Sequence, residues 1–90
     1  MKKFIINIEL EGLDNETRMK LLPREQEVVK ELEQNGTIVD NFIKLDMSGI
    51  FMVLMAIDSE DVHSKLSMLP YYPYMKIKLI PIRVVNSINQ

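Results

Sequence analysis

Residues 50–57 read Ile-Phe-Met-Val-Leu-Met-Ala-Ile, an apolar run with no polar residue on either face. A short run that is rich in β-branched and aromatic residues predicts a buried strand. Because side chains alternate between the two faces of a strand, both faces of this one need cover. Helices can cover one face of its sheet, and the other face would most simply meet the sheet of a second copy of the chain. The run therefore predicts an α+β subunit that works as a homo-oligomer.

The sequence before this run predicts a strand followed by a long helix. Residues 4–11 alternate apolar with mostly polar side chains, which is the pattern of a strand with one face in the core. Asp14 or Asn15 can cap a helix over residues 16–34. Pro23 lies inside this helix, so the helix either kinks there or restarts with Pro23 near its first position.

The segments that flank the run complete the sheet. Residues 38–45 predict the preceding strand, and residues 46–49 predict a hairpin loop that joins it to the run. After the run, Asp58 or Ser59 caps a short helix, and residues 74–81 alternate as a last strand. The order of elements is βαββαβ, and the tail after residue 83 is interpreted as a mobile segment or an arm between subunits.

Length and composition predict one domain, residues 1–90, because no Pro-, Gly- or Ser-rich linker divides the chain. The chain has no cysteine and one histidine, which excludes a His/Cys zinc site and thiol chemistry. A formal net charge of -2 without a basic cluster argues against a nucleic-acid partner. We expect no metal and no cofactor.

The apolar segments are too short to anchor the chain in a membrane. No run reaches the roughly 18 residues that a span needs, and Asn7, Glu9 and Glu11 interrupt the apolar start too early for a signal peptide. We therefore expect a cytoplasmic protein without a membrane partner.

Glu25 is the main candidate for chemistry. At 100° per residue it lies within about 60° of every member of the apolar stripe on the first helix, namely Leu21, Leu22, Val28, Val29 and Leu32. A carboxylate that points towards the sheet becomes a better base near neutral pH, because burial raises its pKa, while the helix start and Arg18 act in the opposite direction. The alternative is that the side chain reaches water and only complements the helix dipole.

Three other segments carry weaker candidates. Asn7 points away from the apolar face of its strand, towards an inter-subunit cavity or simply towards solvent. Residues 71–74, Tyr-Tyr-Pro-Tyr, are suited to an aromatic ligand pocket, although packing of a loop explains them as well. His63 falls at the flank of the second helix and is interpreted as a solvated residue.

Residues 69–75, Leu-Pro-Tyr-Tyr-Pro-Tyr-Met, followed by Ile77 and Pro81, closely resemble the Leu-Pro-x-Phe-Pro-Tyr-Met segment near the end of muconolactone delta-isomerases. Counting backwards without a gap extends the match over roughly residues 23–82. Four further residues then fall on family positions: His63 on a Leu-His pair, Gly36 on the glycine that ends the helix, and Arg24-Glu25 on an Arg/Asp-Glu pair.

The resemblance implies a ferredoxin-like subunit with an antiparallel four-stranded sheet and two helices on one face, which pairs into a dimeric α+β barrel and a larger oligomer. It also implies a cofactor-independent isomerase that shifts a double bond in a small lactone or related apolar acid by proton transfer. Glu25 would be the base, with Asn7 or Tyr74 as partners of the enolate oxygen. Arg24 and Tyr72 are further pocket candidates.

Several family positions differ in this chain. A family Lys is replaced by Leu22, a Trp and a His by Ile38 and Asp40, and a Tyr and an Asn by Ser48 and Ile50. Much of the family's polar pocket is therefore absent. The alternative function is a non-catalytic module of the same fold, which either binds a small ligand or serves as an oligomeric accessory protein.

Overall fold

The structure is a computed structural model of the chain and describes residues 1–83. Its elements are β1 (Lys2–Leu10), α1 (Asn15–Gln34), β2 (Ile38–Ile43), β3 (Gly49–Ala56), α2 (Ser59–Leu66), a 3-10 turn (Tyr72–Tyr74) and β4 (Met75–Ile82). The strands form one antiparallel sheet in the order β2-β3-β1-β4. This is the predicted ferredoxin-like βαββαβ fold, with strand ends that differ by one or two residues. The predicted role of residues 84–90 lies outside the described residues.

Helix α1 is one continuous element. Asp14 is its N-cap, and the carboxylate of Asp14 accepts a hydrogen bond of 2.7 Å from the backbone N–H of Thr17. Pro23 lies within the helix and does not divide it. Because proline has no N–H, the turn before it lacks one intrahelical hydrogen bond. The sequence left two possibilities for Pro23, and a single helix that contains it is the outcome.

The core lies between one face of the sheet and both helices. Phe4, Ile6 and Ile8 of β1 are buried there, as the alternation in β1 predicted. They pack with Val28 and Leu32 of α1 and with residues of β3 and α2, which include Met52, Leu54, Val62 and Leu66. Helices α1 and α2 therefore lie on the same face of the sheet.

Strand β2 contains a register irregularity between Ile38 and Asp40. Ile38 pairs with Leu54 and is buried, whereas Asp40 pairs with Val53 on the other face of the sheet. Period-2 alternation alone would place Ile38 and Asp40 on one face, so the irregularity reverses the faces within β2.

The other face of the sheet, which we call the open face, carries an apolar patch together with the charged side chains Lys3, Glu9, Lys76 and Lys78. Strand pairing places eight of its side chains together: Ile5, Asn7, Asp40, Phe42, Phe51, Val53, Met55 and Ile80. Phe42, Phe51 and Ile80 are 56%, 40% and 44% exposed, respectively. Large apolar side chains on one contiguous surface indicate an interaction site.

No helix within residues 1–83 has the length and apolar character that a membrane crossing requires.

Candidate functional site

Glu25 is buried on the core side of α1. Its side chain is 9% exposed, and Oε1 accepts a hydrogen bond of 3.0 Å from the backbone N–H of Tyr71. Burial raises the pKa of the Glu25 carboxyl, and the Tyr71 N–H opposes this rise because it stabilises the charged form. The side chain is therefore mostly buried, while Oε2, which accepts no hydrogen bond from residues 1–83, keeps some contact with solvent.

Tyr71 connects the segment after α2 to α1 at two points. Besides its N–H on Glu25, its hydroxyl donates a hydrogen bond of 3.1 Å to the backbone carbonyl of Arg18. The two contacts on α1 lie seven residues apart, on either side of Pro23. Tyr71 thus spans the part of the helix that the proline weakens, and it is itself buried.

A cleft of about 480 Å³ lies beside Tyr71, between the first half of α1, the adjoining ends of β1 and β3, and the hairpin that joins β2 to β3. This volume is in the range of small-molecule sites. The cleft is lined by Leu10, Arg18, Leu22, Ile43, Met47, Ser48, Gly49, Ile50 and Tyr71. Glu25 is not among these residues, and its link to the cleft is the hydrogen bond from the backbone N–H of Tyr71.

The hairpin wall of the cleft is held in shape by local contacts. Asp46 accepts hydrogen bonds from both the N–H of Ser48, at 3.0 Å, and its hydroxyl, at 2.7 Å. Met47 has a φ of 64°, which is uncommon for a residue with a side chain and places the turn in the left-handed region. The backbone N–H of Lys44 donates a hydrogen bond of 2.9 Å to the backbone carbonyl of Gly49 at the other end of the turn.

The other predicted pocket residues lie away from Glu25. Arg24 is exposed and forms an ion pair of 3.1 Å with Glu27. Asn7 lies on the open face, where its Oδ1 accepts a hydrogen bond of 2.7 Å from Lys44 Nζ. The sheet therefore separates Asn7 from Glu25 within one protomer.

Two aromatic candidates lie on the loop that carries Tyr71. The hydroxyl oxygen of Tyr72 lies 2.9 Å from Nδ1 of His63. His63 is exposed, and this contact gives its ring a hydrogen-bond partner. Tyr74 is half-buried, and its backbone N–H donates to the carbonyl of Tyr71. This loop therefore brings Tyr71 to Glu25 through its backbone, and it directs Tyr72 towards α2.

Arg18 and Met47 line the cleft, although neither is a sequence-predicted ligand residue. Arg18 precedes Glu25 by seven residues, and this spacing puts both on one side of a helix, so its position was available from the sequence. Met47 gave no such signal, because its place at the cleft depends on how the β2–β3 hairpin folds over α1. Residues 1–83 contain no cluster of three or more His, Asp or Glu side chains that could hold a metal ion.

Comparisons with known proteins point to one family. The family sequence model described as Muconolactone delta-isomerase matches residues 3–87. No curated protein matches the chain significantly. A crystal structure of muconolactone isomerase has 22% sequence identity and a TM-score of 0.79, covering 94% of this chain and 92% of that one.

A second solved structure is a 5-chloro-2-hydroxyhydroquinone dehydrochlorinase from Burkholderia phenoliruptrix, in complex with 2,5-dihydroxybenzoquinone. It has 17% identity and a TM-score of 0.67, and the match covers 97% of each chain. At these identities the two structures show the fold, whereas the family model spans nearly the whole sequence. The chain therefore belongs to the muconolactone delta-isomerase family.

Proposed function

We propose that this protein is a cofactor-independent isomerase that shifts a double bond in a small lactone or related acid, with Glu25 as the base. The observation that carries the proposal is a buried carboxylate with a raised pKa next to an apolar cleft of small-molecule size. A carboxylate of this kind holds a proton more readily at neutral pH than an exposed one, as proton transfer requires.

The hydrogen bonding of Glu25 suits a base. Tyr71 fixes Oε1, whereas Oε2 accepts no hydrogen bond from residues 1–83. In the reaction, Glu25 would remove a proton from an acidic carbon of the substrate, and the electron pair of the C–H bond would move into a conjugated enolate. The protonated Glu25 carboxyl would exchange its proton with solvent and then deliver a proton to a different carbon. The double bond moves and no atom is oxidised or reduced.

Glu25 does not line the cleft, so a substrate in the cleft reaches the carboxylate only after a small rearrangement. Either the loop over residues 69–74 shifts, or one water molecule carries the proton to Oε2. Catalytic contacts in unliganded structures are often longer than in the complex with substrate. The hydrogen bond between Glu25 and the cleft residue Tyr71 is compatible with both routes.

The hydrogen bond between Tyr71 and Glu25 also favours a second candidate function, that of a non-catalytic binding protein. The Tyr71 N–H on Glu25 joins two elements that are 46 residues apart, which is a structural role for the carboxylate. In that case a small apolar ligand would occupy the cleft and Glu25 would hold its wall.

The test is an isomerisation assay with muconolactone in deuterium oxide, followed by NMR. Wild type should incorporate deuterium and move the double bond. Glu25→Gln should lower the rate by about 10² to 10⁴-fold, because it preserves the hydrogen-bond acceptor but removes the base. Glu27→Gln, an exposed position on the same helix, serves as the control and should retain the wild-type rate.

The pH dependence of kcat/KM gives a second readout. The rate should rise with pH as Glu25 loses its proton, with a midpoint above the ordinary pKa of glutamate. The isomerase proposal fails if the wild-type protein does not isomerise the lactone and Glu25→Gln leaves its affinity for the lactone unchanged. Lactone binding without turnover would select the binding protein instead.

We also propose that the protein acts as a homodimer that packs two open faces together. Phe42, Phe51 and Ile80 are exposed on this face, and Ile5, Val53 and Met55 lie beside them. A second sheet would cover these side chains and bring their apolar area out of water.

A further inference from the structure

The polar groups that line the cleft differ in whether their hydrogen-bond donors are already used. Ser48 directs both its N–H and its hydroxyl to Asp46. Tyr71 directs its N–H to Glu25 and its hydroxyl to the Arg18 carbonyl. Arg18 takes part in these hydrogen bonds only through its backbone carbonyl, and its guanidinium forms none of them.

The guanidinium of Arg18 also has no counter-charge within the described residues. Among residues 1–83 it forms no salt bridge, and no Asp or Glu lines the cleft. The neighbouring cation on α1, Lys20, does have a partner, Glu16, at 3.5 Å. Arg18 is an exposed residue that lines the cleft, and its guanidinium carries a positive charge and five N–H donors with no carboxylate partner within residues 1–83.

On these grounds we propose that Arg18 is the specificity-determining residue of the cleft and binds the carboxylate of a small, otherwise apolar ligand. The inference rests on the proposed function, since it names the group that the ligand of this site carries. A guanidinium matches a carboxylate with two parallel hydrogen bonds.

The charge of the cleft selects a carboxylate over a phosphate. One guanidinium balances the single charge of a carboxylate, whereas a phosphate carries about -1.5 to -2 at neutral pH and would be balanced only in part. Leu10, Leu22 and Ile50 line the cleft. The ligand is therefore a monoanion with an apolar body.

The arrangement on α1 also orients the ligand. Arg18, Leu22 and Glu25 lie within about 60° of one another on the helix, and Arg18 and Glu25 are about 10 Å apart along its axis. A ligand whose carboxylate pairs with Arg18 extends its apolar body over Leu22 towards Tyr71 and Glu25. Arg18 thus acts on binding and orientation, and Glu25 on the proton.

The charge of Arg18 already affects Tyr71 in the free protein. Burial raises the pKa of the Tyr71 hydroxyl and the Glu25 carboxylate raises it further, while the positive charge of Arg18 acts in the opposite direction. Arg18 is therefore close enough to Tyr71 for its charge to act on a ligand that packs against the tyrosine ring.

The experiment compares two probes of nearly equal shape, cyclohexanecarboxylate and cyclohexanecarboxamide, by NMR titration of the full chain. Wild type should bind the carboxylate more tightly than the amide. Arg18→Gln should weaken carboxylate binding by about tenfold or more and change amide binding by less than about twofold, because a hydrogen bond to a charged group contributes more than a neutral one. Arg18→Lys should restore part of the carboxylate preference.

Lys20→Gln is the matched control, since it removes one positive charge from the same helix two residues away from Arg18. It should leave both affinities within about twofold of wild type, which separates a specific contact from a general loss of positive charge. Circular dichroism of each variant shows whether the fold is retained, and the hydrogen bond of Tyr71 to the backbone carbonyl of residue 18 remains available in all of them.

The inference is overturned if wild type shows no preference for the carboxylate, which includes the case in which neither probe binds, or if Arg18→Gln keeps the preference. Neither probe is a lactone, so the result is independent of turnover. Carboxylate binding that depends on Arg18, without any lactone isomerisation, would leave this inference standing and remove the proposed isomerase. The opposite result is isomerisation that depends on Glu25 together with a carboxylate preference that survives Arg18→Gln. It would support the proposed isomerase and overturn the role of Arg18.

Discussion

Glu25 occupies a position where a charged side chain is disfavoured, and one backbone N–H compensates part of that penalty. A buried carboxylate without a partner is strongly destabilising, and the hydrogen bond from Tyr71 supplies a partner for one of its two oxygens. The residual effect of burial is a raised pKa of the Glu25 carboxyl. The same feature that makes Glu25 a candidate base therefore makes it a source of pH-dependent stability.

We expect Glu25→Gln to become increasingly favourable to stability as the pH rises. Below both pKa values Glu25 is protonated in the folded and the unfolded chain and contributes no pH dependence. Between the ordinary pKa of the unfolded chain and the raised pKa of the folded chain, the folded state binds more protons, so the free energy of unfolding of wild type falls with rising pH. Urea unfolding between about pH 4 and pH 7 measures the difference between variant and wild type.

A constant difference over that pH range would contradict the raised pKa. Glu25→Leu is the companion variant, because it removes the acceptor as well as the charge and leaves the Tyr71 N–H unsatisfied. Its free energy of unfolding should be about 1–3 kcal/mol below that of Glu25→Gln.

At the scale of elements, the cleft depends on how closely β1 and β3 approach at their shared end. Gly49 begins β3, is buried and pairs with Glu9. A Cβ at this position would clash with the backbone carbonyl of Ile8. Because the clashing group is backbone, it cannot rotate away as a flexible side chain would. The glycine therefore sets the spacing of the two strands at the cleft.

Gly49→Ala should lower the free energy of unfolding by about 1–3 kcal/mol through this overlap. Asn41→Ala, at an exposed position of the neighbouring strand β2, is the control and should stay within about 0.5 kcal/mol of wild type. Chemical denaturation of both variants at one pH makes the comparison. Equal stabilities for Gly49→Ala and wild type would show that β1 and β3 can separate at this end without loss.

At the scale of the whole molecule, the two faces of the sheet have different surroundings. Both helices cover one face and form the core, whereas the open face keeps phenylalanine and isoleucine side chains in contact with solvent. A domain of this length buries only about 60–65% of the surface that its unfolded chain exposes, so additional burial through a second copy would add stability. This asymmetry motivates the proposed dimer.

Phe51→Glu should shift the protein from dimer to monomer, because the new charge would have to be buried in the apolar patch of the open face. Light scattering coupled to gel filtration measures the mass. Met19→Glu is the control, since Met19 is an exposed apolar residue on α1, away from the open face, and its substitution should leave the mass unchanged. A monomeric wild type, or a Phe51→Glu variant that remains dimeric, would contradict packing through the open face.

The sequence by itself determined the order of elements, the faces of β1 and the family. The alternation in β1, the Asp14 cap and the apolar run of β3 are local patterns, and each constrains its own segment regardless of the rest of the chain. The place of Glu25 on the apolar stripe of α1 made burial one of two possibilities, and only the structure decided between them. The segment over residues 69–75 carried the family resemblance.

Only the tertiary structure decided which groups meet at the cleft. The N–H of Tyr71 reaches Glu25 across 46 residues, and its hydroxyl reaches the Arg18 carbonyl across 53 residues. The irregularity in β2 reverses the faces on which Ile38 and Asp40 lie. These outcomes depend on strand register, on the path of loops and on the packing of α1 against them, and no periodicity within one segment encodes the relation between two distant segments.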